Sequence, residues 1–441
     1  MTVSMTRKAE GLQSAGTSKG DAKAAKKATL SHRKGSPKVR VAMERPPPFS
    51  EELWACLHCN YCSAECPTAR EVGWESTTPR GKIRLFRDLV DAWKPKRGVA
   101  VPDAFVRGVY ECTSCGRCSV VCHVDIDYLA HNEEWRRWLA RSGCGPMEDH
   151  EVLVRSLANY RNPYLSPRRD RARWAEGLDL PKKGDVLYFA GCSDSYVHPD
   201  VARRTVAVLR ALGHDVAYLG VDEPCCGSTA IRLGLEGPFA DLAGDVMSRI
   251  TGTGAKLVVT ACPGCSSAFR EYYPDAGFDL GVEVVHLTEL LDRELGSGTL
   301  RVKTKLPGKV AWYDPCHLGR IDGVFDPPRR VLAACVEEMV ELARNRHESL
   351  CCGSGGGLKT AFPDQATAIG GRVVDLAQDA EVDTLVTACP WCETNIGDAS
   401  AAVKAGLEVV DLVDVVFRAM GLDETATEPL RRKRTPGRLS L

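Results

Sequence analysis

Leu257-Val258-Val259-Thr260-Ala261-Cys262-Pro263-Gly264-Cys265 is a short apolar, β-branched run that ends on two cysteines. It returns as Thr384-Leu385-Val386-Thr387-Ala388-Cys389-Pro390-Trp391-Cys392. Such runs, bounded by turn residues and followed by helical patterns, read as buried strands of a parallel sheet. Val186-Leu187-Tyr188-Phe189-Ala190 before Gly191-Cys192 and Val310-Ala311-Trp312-Tyr313 before Cys316 read the same way, with helical patterns from Val201 to Leu212 and from Val331 to Leu342. Strands alternating with helices imply parallel sheets covered on both faces, where ligands gather at the carboxyl ends of strands. Each of these strands delivers a cysteine there. The helices that follow point backbone N–H groups and a positive dipole end at whatever the thiolates hold.

The cysteines form a duplicated five-thiol pattern. Cys192, Cys225-Cys226 and Cys262-x2-Cys265 read C-x32-CC-x35-C-x2-C, and Cys316, Cys351-Cys352 and Cys389-x2-Cys392 read C-x34-CC-x36-C-x2-C, so equivalent positions lie 124 to 127 residues apart. Five thiols exceed the four ligands of a tetrahedral zinc, which favours unusual iron–sulfur chemistry. Gly227 and Gly353, directly after the Cys-Cys pairs, allow the sharp positive-φ turn that lets adjacent cysteines face one centre.

A second set precedes this pattern. Cys56-x2-Cys59-x2-Cys62-x3-Cys66-Pro67 is the bacterial ferredoxin run, and Cys112-x2-Cys115-x2-Cys118-x3-Cys122 repeats it, with His123 where the proline usually stands. In that run the fourth cysteine ligates the other cluster. The expected sets are therefore Cys56, Cys59, Cys62 and Cys122 for one [4Fe-4S] cubane, and Cys112, Cys115, Cys118 and Cys66 for the second. The 45 residues between Cys66 and Cys112 predict a helical rather than a minimal β-type ferredoxin domain, and Pro79 with Ile83, Leu85, Phe86, Leu89 and Val90 predicts one amphipathic helix.

Of the 20 cysteines in 441 residues, Cys144 and Cys335 fall outside the motifs and read as small buried hydrophobes. Length and 44% hydrophobic content argue against a disulfide scaffold. Thiolate ligands require a reducing compartment, so a cytoplasmic location is expected, with peripheral membrane association through a partner allowed. No 18-residue apolar run spans a membrane. Lys/Arg and Asp/Glu balance at 58 each, but residues 1–48 hold eleven basic residues and no aromatic residue, a composition that does not order itself and that resembles a presequence. The tail carries Arg431-Arg432-Lys433-Arg434, either a frayed terminus or a dock for an acidic surface. Neither a Walker A loop nor a dinucleotide fingerprint is present, since Gly353-Ser354-Gly355-Gly356-Gly357 lacks the required spacing. No nucleic-acid partner is expected.

Two ferredoxin runs, a charged segment with Asn162-Pro163-Tyr164 and Trp174, the Asp314-Pro315-Cys316-His317-Leu318-Gly319-Arg320 motif and two complete five-cysteine units resemble the D-type subunits of heterodisulfide reductase, with their CCG domains. The resemblance runs from Phe49 to about Met420. It implies a noncubane [4Fe-4S] cluster in each CCG unit, and hence two cubane and two noncubane clusters. The expected organisation is a disordered basic leader (1–48), a helical two-cluster ferredoxin domain (49–144), a linker (145–184), tandem α/β CCG units with parallel strands (185–305 and 306–422) and a basic tail (423–441). The implied function is an iron–sulfur oxidoreductase that passes electrons through the cubanes to the CCG units for disulfide reduction or a related two-electron step. The same architecture also resembles the iron–sulfur subunits of glycolate oxidase and anaerobic glycerol-3-phosphate dehydrogenase, which implies an electron relay serving a flavin-dependent dehydrogenase. The chain has no flavin or nicotinamide site of its own. A flavoprotein, a ferredoxin-type donor or a membrane cytochrome is therefore the expected partner. His317 is read either as a proton donor or, preferably, as a tuning group beside Cys316. Arg80, Arg320 and Lys359 are read either as anion-binding groups or as surface charges.

Overall fold

The computed structural model describes residues 40–422; the leader up to residue 39 and the tail from 423, including Arg431–Arg434, lie outside the described residues. Two sheets dominate the carboxyl-terminal two thirds. Strands β3 (Val186–Tyr188), β4 (Val216–Ala217), β5 (Leu257–Thr260) and β6 (Glu283–His286) pair in parallel in the order β4-β3-β5-β6. Strands β7 (Leu306–Trp312), β8 (Val336–Glu341), β9 (Thr384–Thr387) and β10 (Glu408–Asp411) do the same in the order β8-β7-β9-β10. The repeat in sequence is thus a repeat in topology. Val186 stands opposite Leu257 and Val310 opposite Thr384, so the strands that carry the first and third cysteine sites of each unit are direct neighbours.

The two units share one core. Helix Pro199–Ala211, after β3, packs on helix Leu412–Ala419, after β10; helix Leu287–Ser297, after β6, packs on helix Asp326–Cys335, after β7. Their apolar faces interlock with the inner sheet faces through Val206, Leu209, Leu291, Trp312, Val331, Val413 and Phe417, all buried. Cys335 sits fully buried in this core, as a hydrophobe should. Trp174 fills it from residues 145–184, donating its indole N–H to the Tyr218 hydroxyl at 3.1 Å. That segment, expected as a charged linker with a short helix, carries a helix over Glu151–Tyr160 and packs against the core through Trp174.

Residues 49–144 are helical around Phe86, Phe105, Trp135 and Trp138, with Cys144 buried among them. The amphipathic helix expected after Pro79 spans Pro79–Ala92 and is started by the Thr78 hydroxyl, which accepts from the Gly81 amide at 2.9 Å. The segment expected as leader ends earlier than residue 48. Arg40–Ala42 forms strand β1, antiparallel to β2 (Val99–Val101), because Ala42 is fully buried and the Trp93 and Trp138 indoles donate to the carbonyls of Met43 and Glu44. No helix among the described residues is long and apolar enough to cross a membrane.

Candidate functional site

In the first CCG unit, Gly191 follows β3 three residues on and opens the helix Gly191–Tyr196 that carries Cys192; its φ is 72°, and a Cβ there would lie 3.1 Å from the Cys265 sulfur. Gly227 after Cys225-Cys226 has φ 80°, as expected for that turn. Cys262 follows β5 at the N-terminus of helix Pro263–Ser267, which brings Cys265 back to within 3.3 Å of the Cys226 sulfur. All five thiols are buried and join in one chain of contacts, Cys192–Cys225–Cys226–Cys265–Cys262. Hydrogen bonds from Cys225 and Cys265 draw the Cys226 thiol down to about 6 against the burial that raises it.

The second unit repeats this arrangement. Cys316, Cys351, Cys352, Cys392 and Cys389 form the matching buried chain. Gly353 has φ 92°, and a Cβ there would meet the Ala366 carbonyl. Cys389 again sits at a helix N-terminus, here of Pro390–Val403. The donor set of the two units is ten soft, buried thiols in two groups of five, a set suited to iron–sulfur chemistry.

Both ferredoxin runs wrap in the same way. Left-handed residues stand at His58 and Asn60 in the first and at Ser114 and Gly116 in the second, two and four positions after the first cysteine of each. Cys56, Cys59, Cys62 and Cys122, the set expected for one cubane, line a single pocket together with Cys118, His58, Arg80 and His123. Cys66, Cys112, Cys115 and Cys118 neighbour one another, with the buried Lys82 beside Cys66 and Cys118. Burial pushes the Cys66 thiol up to about 11. Lys82 carries no spacing signal that would single it out beforehand.

Two glycines of the run 353–357, Gly355 and Gly356, face this second ferredoxin loop. Cβ atoms at Gly355 and Gly356 would strike the carbonyls of Thr113 and Cys112, so backbone meets backbone where the loop seats on the second CCG unit. Cys115 then reaches the Cys351 thiol, which pulls it down to about 5, and both share a buried cluster with Cys316. Arg136, fully buried, fastens the junction: its Nη1 donates to the carbonyls of Arg232 (2.6 Å) and Gly356 (2.9 Å), and its Nη2 to that of Cys112 (2.7 Å).

Several charged groups lie close to the thiols. Arg171 donates to the Cys192 sulfur at 3.3 Å and pairs with Glu223 at 2.7 Å; Glu223 also accepts from the amides of Ala190 and Gly191 at 3.0 Å. This buried clamp joins the loops of Cys192 and Cys225, and sequence reading did not single it out because its two halves lie 52 residues apart. The His317 Nε2 lies 3.0 Å from Arg232 Nη1, and since a guanidinium only donates, that nitrogen is the acceptor of a neutral ring. Burial, with Arg232 and Arg320 nearby, keeps His317 well below the usual histidine range. Arg80 lines the first pocket paired to Glu75 at 2.8 Å, and Lys359 binds Asn395 and Asp398 at 2.6 and 2.7 Å. Tyr164 bridges the units: its hydroxyl shares a 2.7 Å hydrogen bond with Ser193, and its ring stacks on Trp391 at 5.5 Å.

The profile of the cysteine-rich CCG domain matches residues 186–270 and 310–397, and that of the 4Fe-4S dicluster domain matches residues 52–126. Fold, thiol sets and these matches define an iron–sulfur oxidoreductase built from a dicluster ferredoxin domain and two CCG units. The chain belongs to the family of the heterodisulfide reductase D subunits. It is 35% identical over 387 residues to the D subunit of the dihydromethanophenazine:CoB–CoM heterodisulfide reductase of Methanosarcina acetivorans, covering 84% of this chain and 95% of that protein. It is 31% identical to the EtfAB:quinone oxidoreductase of Syntrophomonas wolfei, covering 71% of this chain and 46% of that protein. It is 27% identical to the B subunit of the fumarate reductase (CoM/CoB) of Methanothermobacter marburgensis, covering 83% and 73%.

Proposed function

We propose that this chain reduces a disulfide with electrons received from a redox partner. Cys56, Cys59, Cys62 and Cys122 hold one cubane [4Fe-4S] cluster, and Cys112, Cys115, Cys118 and Cys66 hold a second. Cys192, Cys225, Cys226, Cys262 and Cys265 hold a noncubane cluster, as do Cys316, Cys351, Cys352, Cys389 and Cys392. When bound, each cluster supplies one-electron transfer, and a disulfide needs two electrons. The observation that carries this reading is that both CCG units keep all five thiols in one continuous buried group, more than a relay requires. The substrate approaches between the units, where the Tyr164 ring stacks on Trp391, which lies between Cys389 and Cys392, and the Tyr164 hydroxyl bonds Ser193 next to Cys192. Among the cluster thiols Cys59 is the exposed one; Leu57 lines the same pocket at 64% exposure, and Trp54 and Tyr61 of the same segment are 53% and 57% exposed. That apolar rim is where a partner docks, whether flavoprotein, ferredoxin-type donor or membrane cytochrome.

Iron and acid-labile sulfide analysis of anaerobically purified protein should find about sixteen irons per chain, eight from the cubane motifs and eight from the CCG units. A value near eight, with CCG thiols open to alkylation, removes the noncubane assignment. Titration of the reduced protein with low-molecular-weight disulfides should oxidise the CCG clusters, read by EPR, and a Cys351→Ser variant should alter that signal. Likeness to the quinone oxidoreductase supports a second reading, an electron relay for a flavin-dependent dehydrogenase. The absence of any disulfide-dependent signal leaves that relay standing.

A further inference from the structure

The two CCG units differ four residues after their first cysteine: Tyr196 follows Cys192, and Arg320 follows Cys316. Arg320 lies on the π-helical turn His317–Ile321 and ties three cysteine loops together. Its Nε donates to the carbonyl of Cys115 at 2.8 Å, and its Nη1 donates to the carbonyls of Ser349 at 2.7 Å and His347 at 3.3 Å, on the approach to Cys351. Its Nη2 is enclosed without a hydrogen-bond partner. Arg171 in the first unit is neutralised by Glu223, whereas the partners of Arg320 are carbonyls and its nearby anions are the sulfurs of Cys115, Cys316 and Cys351. A cation enclosed without a carboxylate needs another source of negative charge.

We propose that Arg320 is a positioning residue whose charge is shared by two centres, the Cys66/Cys112/Cys115/Cys118 cubane and the cluster of the second CCG unit, raising the reduction potential of both. The assignment rests on the four-cluster reading above. A fixed positive charge favours the more negative, reduced state of any cluster beside it, and removing it lowers the potential. Because Arg320 faces both centres, one substitution moves two potentials together and leaves those of the exposed cubane and the first CCG unit where they were.

The test is an EPR-monitored redox titration of the full chain as wild type, Arg320→Gln and Arg320→Lys, with iron counted in each. Wild type at about sixteen irons upholds the four-cluster reading, and about eight overturns that reading independently of Arg320. With full iron, Arg320→Gln should lower two of four midpoint potentials, one cubane and one noncubane, while Arg320→Lys keeps both near wild type. A loaded Gln variant with one or no potential moved, or a loaded Lys variant lowered like Gln, overturns the shared-charge role. If Arg320→Gln does not load, the proposal stands only if Arg320→Lys loads fully with both potentials retained; failure of both makes Arg320 structural.

Discussion

Gly353 shows how a single residue governs a cluster site. Its φ of 92° and the Ala366 carbonyl behind it leave no room for a Cβ. Gly353→Ala should therefore cost about 2 kcal/mol or more and remove iron from the second CCG unit alone, as seen by denaturation and iron analysis. At Glu223, a substitution to Gln strands the buried Arg171 beside Cys192, and a loss of about 3–5 kcal/mol is expected in chemical unfolding. Two buried histidines set an acid limit. Burial depresses His150 and His286 to about 3, so both are neutral in the native protein while the unfolded chain binds protons below about 6.5. The unfolded state then holds more protons, and stability falls by about 1.4 kcal/mol per pH unit per histidine as pH drops from about 6.5 toward 3. His286→Asn, which keeps the helix-capping acceptor, should flatten that dependence of Tm on pH.

Between elements, Arg136 is the fastener that joins the ferredoxin loop at Cys112 to Arg232 of the first CCG unit and Gly356 of the second. Arg136→Met leaves those carbonyls unpaired at a dry junction. A loss of about 3 kcal/mol or more is expected, with faster hydrogen exchange at residues 112–116 and 353–357 before global unfolding. The ends of β3, β5, β7 and β9, by contrast, tolerate little variation because each delivers a cysteine, and the parallel register of β3 with β5 and of β7 with β9 sets how far apart those cysteines stand.

For the whole molecule, the thiol groups lie in order: the exposed Cys59 set, the Cys66 set, and then the second CCG unit through Cys115 and Cys351. A charge placed in the apolar rim, as in Leu57→Glu with Tyr61→Glu, should slow reduction by a protein donor about tenfold, the effect of losing about 1.4 kcal/mol of docking energy. Reduction by dithionite and the iron content should not change, and stopped-flow absorbance distinguishes the two outcomes.

By itself the sequence determined the alternation of strand and helix, the doubling of the unit, and the thiols that belong together, because short-range spacing and periodicity record what one loop or one strand can reach. Motif chemistry alone raises the expectation that Cys66 and Cys122 pair with the opposite ferredoxin run, and the folded chain sets Cys122 at one pocket with Cys56, Cys59 and Cys62. Only the tertiary structure decided which units meet: that Cys115 faces Cys351, that the glycine run seats the Cys112 loop, and that Arg171 finds Glu223. It also separated the basic residues, with Arg320 held among cluster loops and Arg80 at a pocket mouth. Such pairings join residues tens to hundreds of positions apart, where no local pattern persists. A lone arginine reads the same in sequence whether it ends in solvent or beside a buried sulfur, and burial, which sets its energy, is a property of the folded chain.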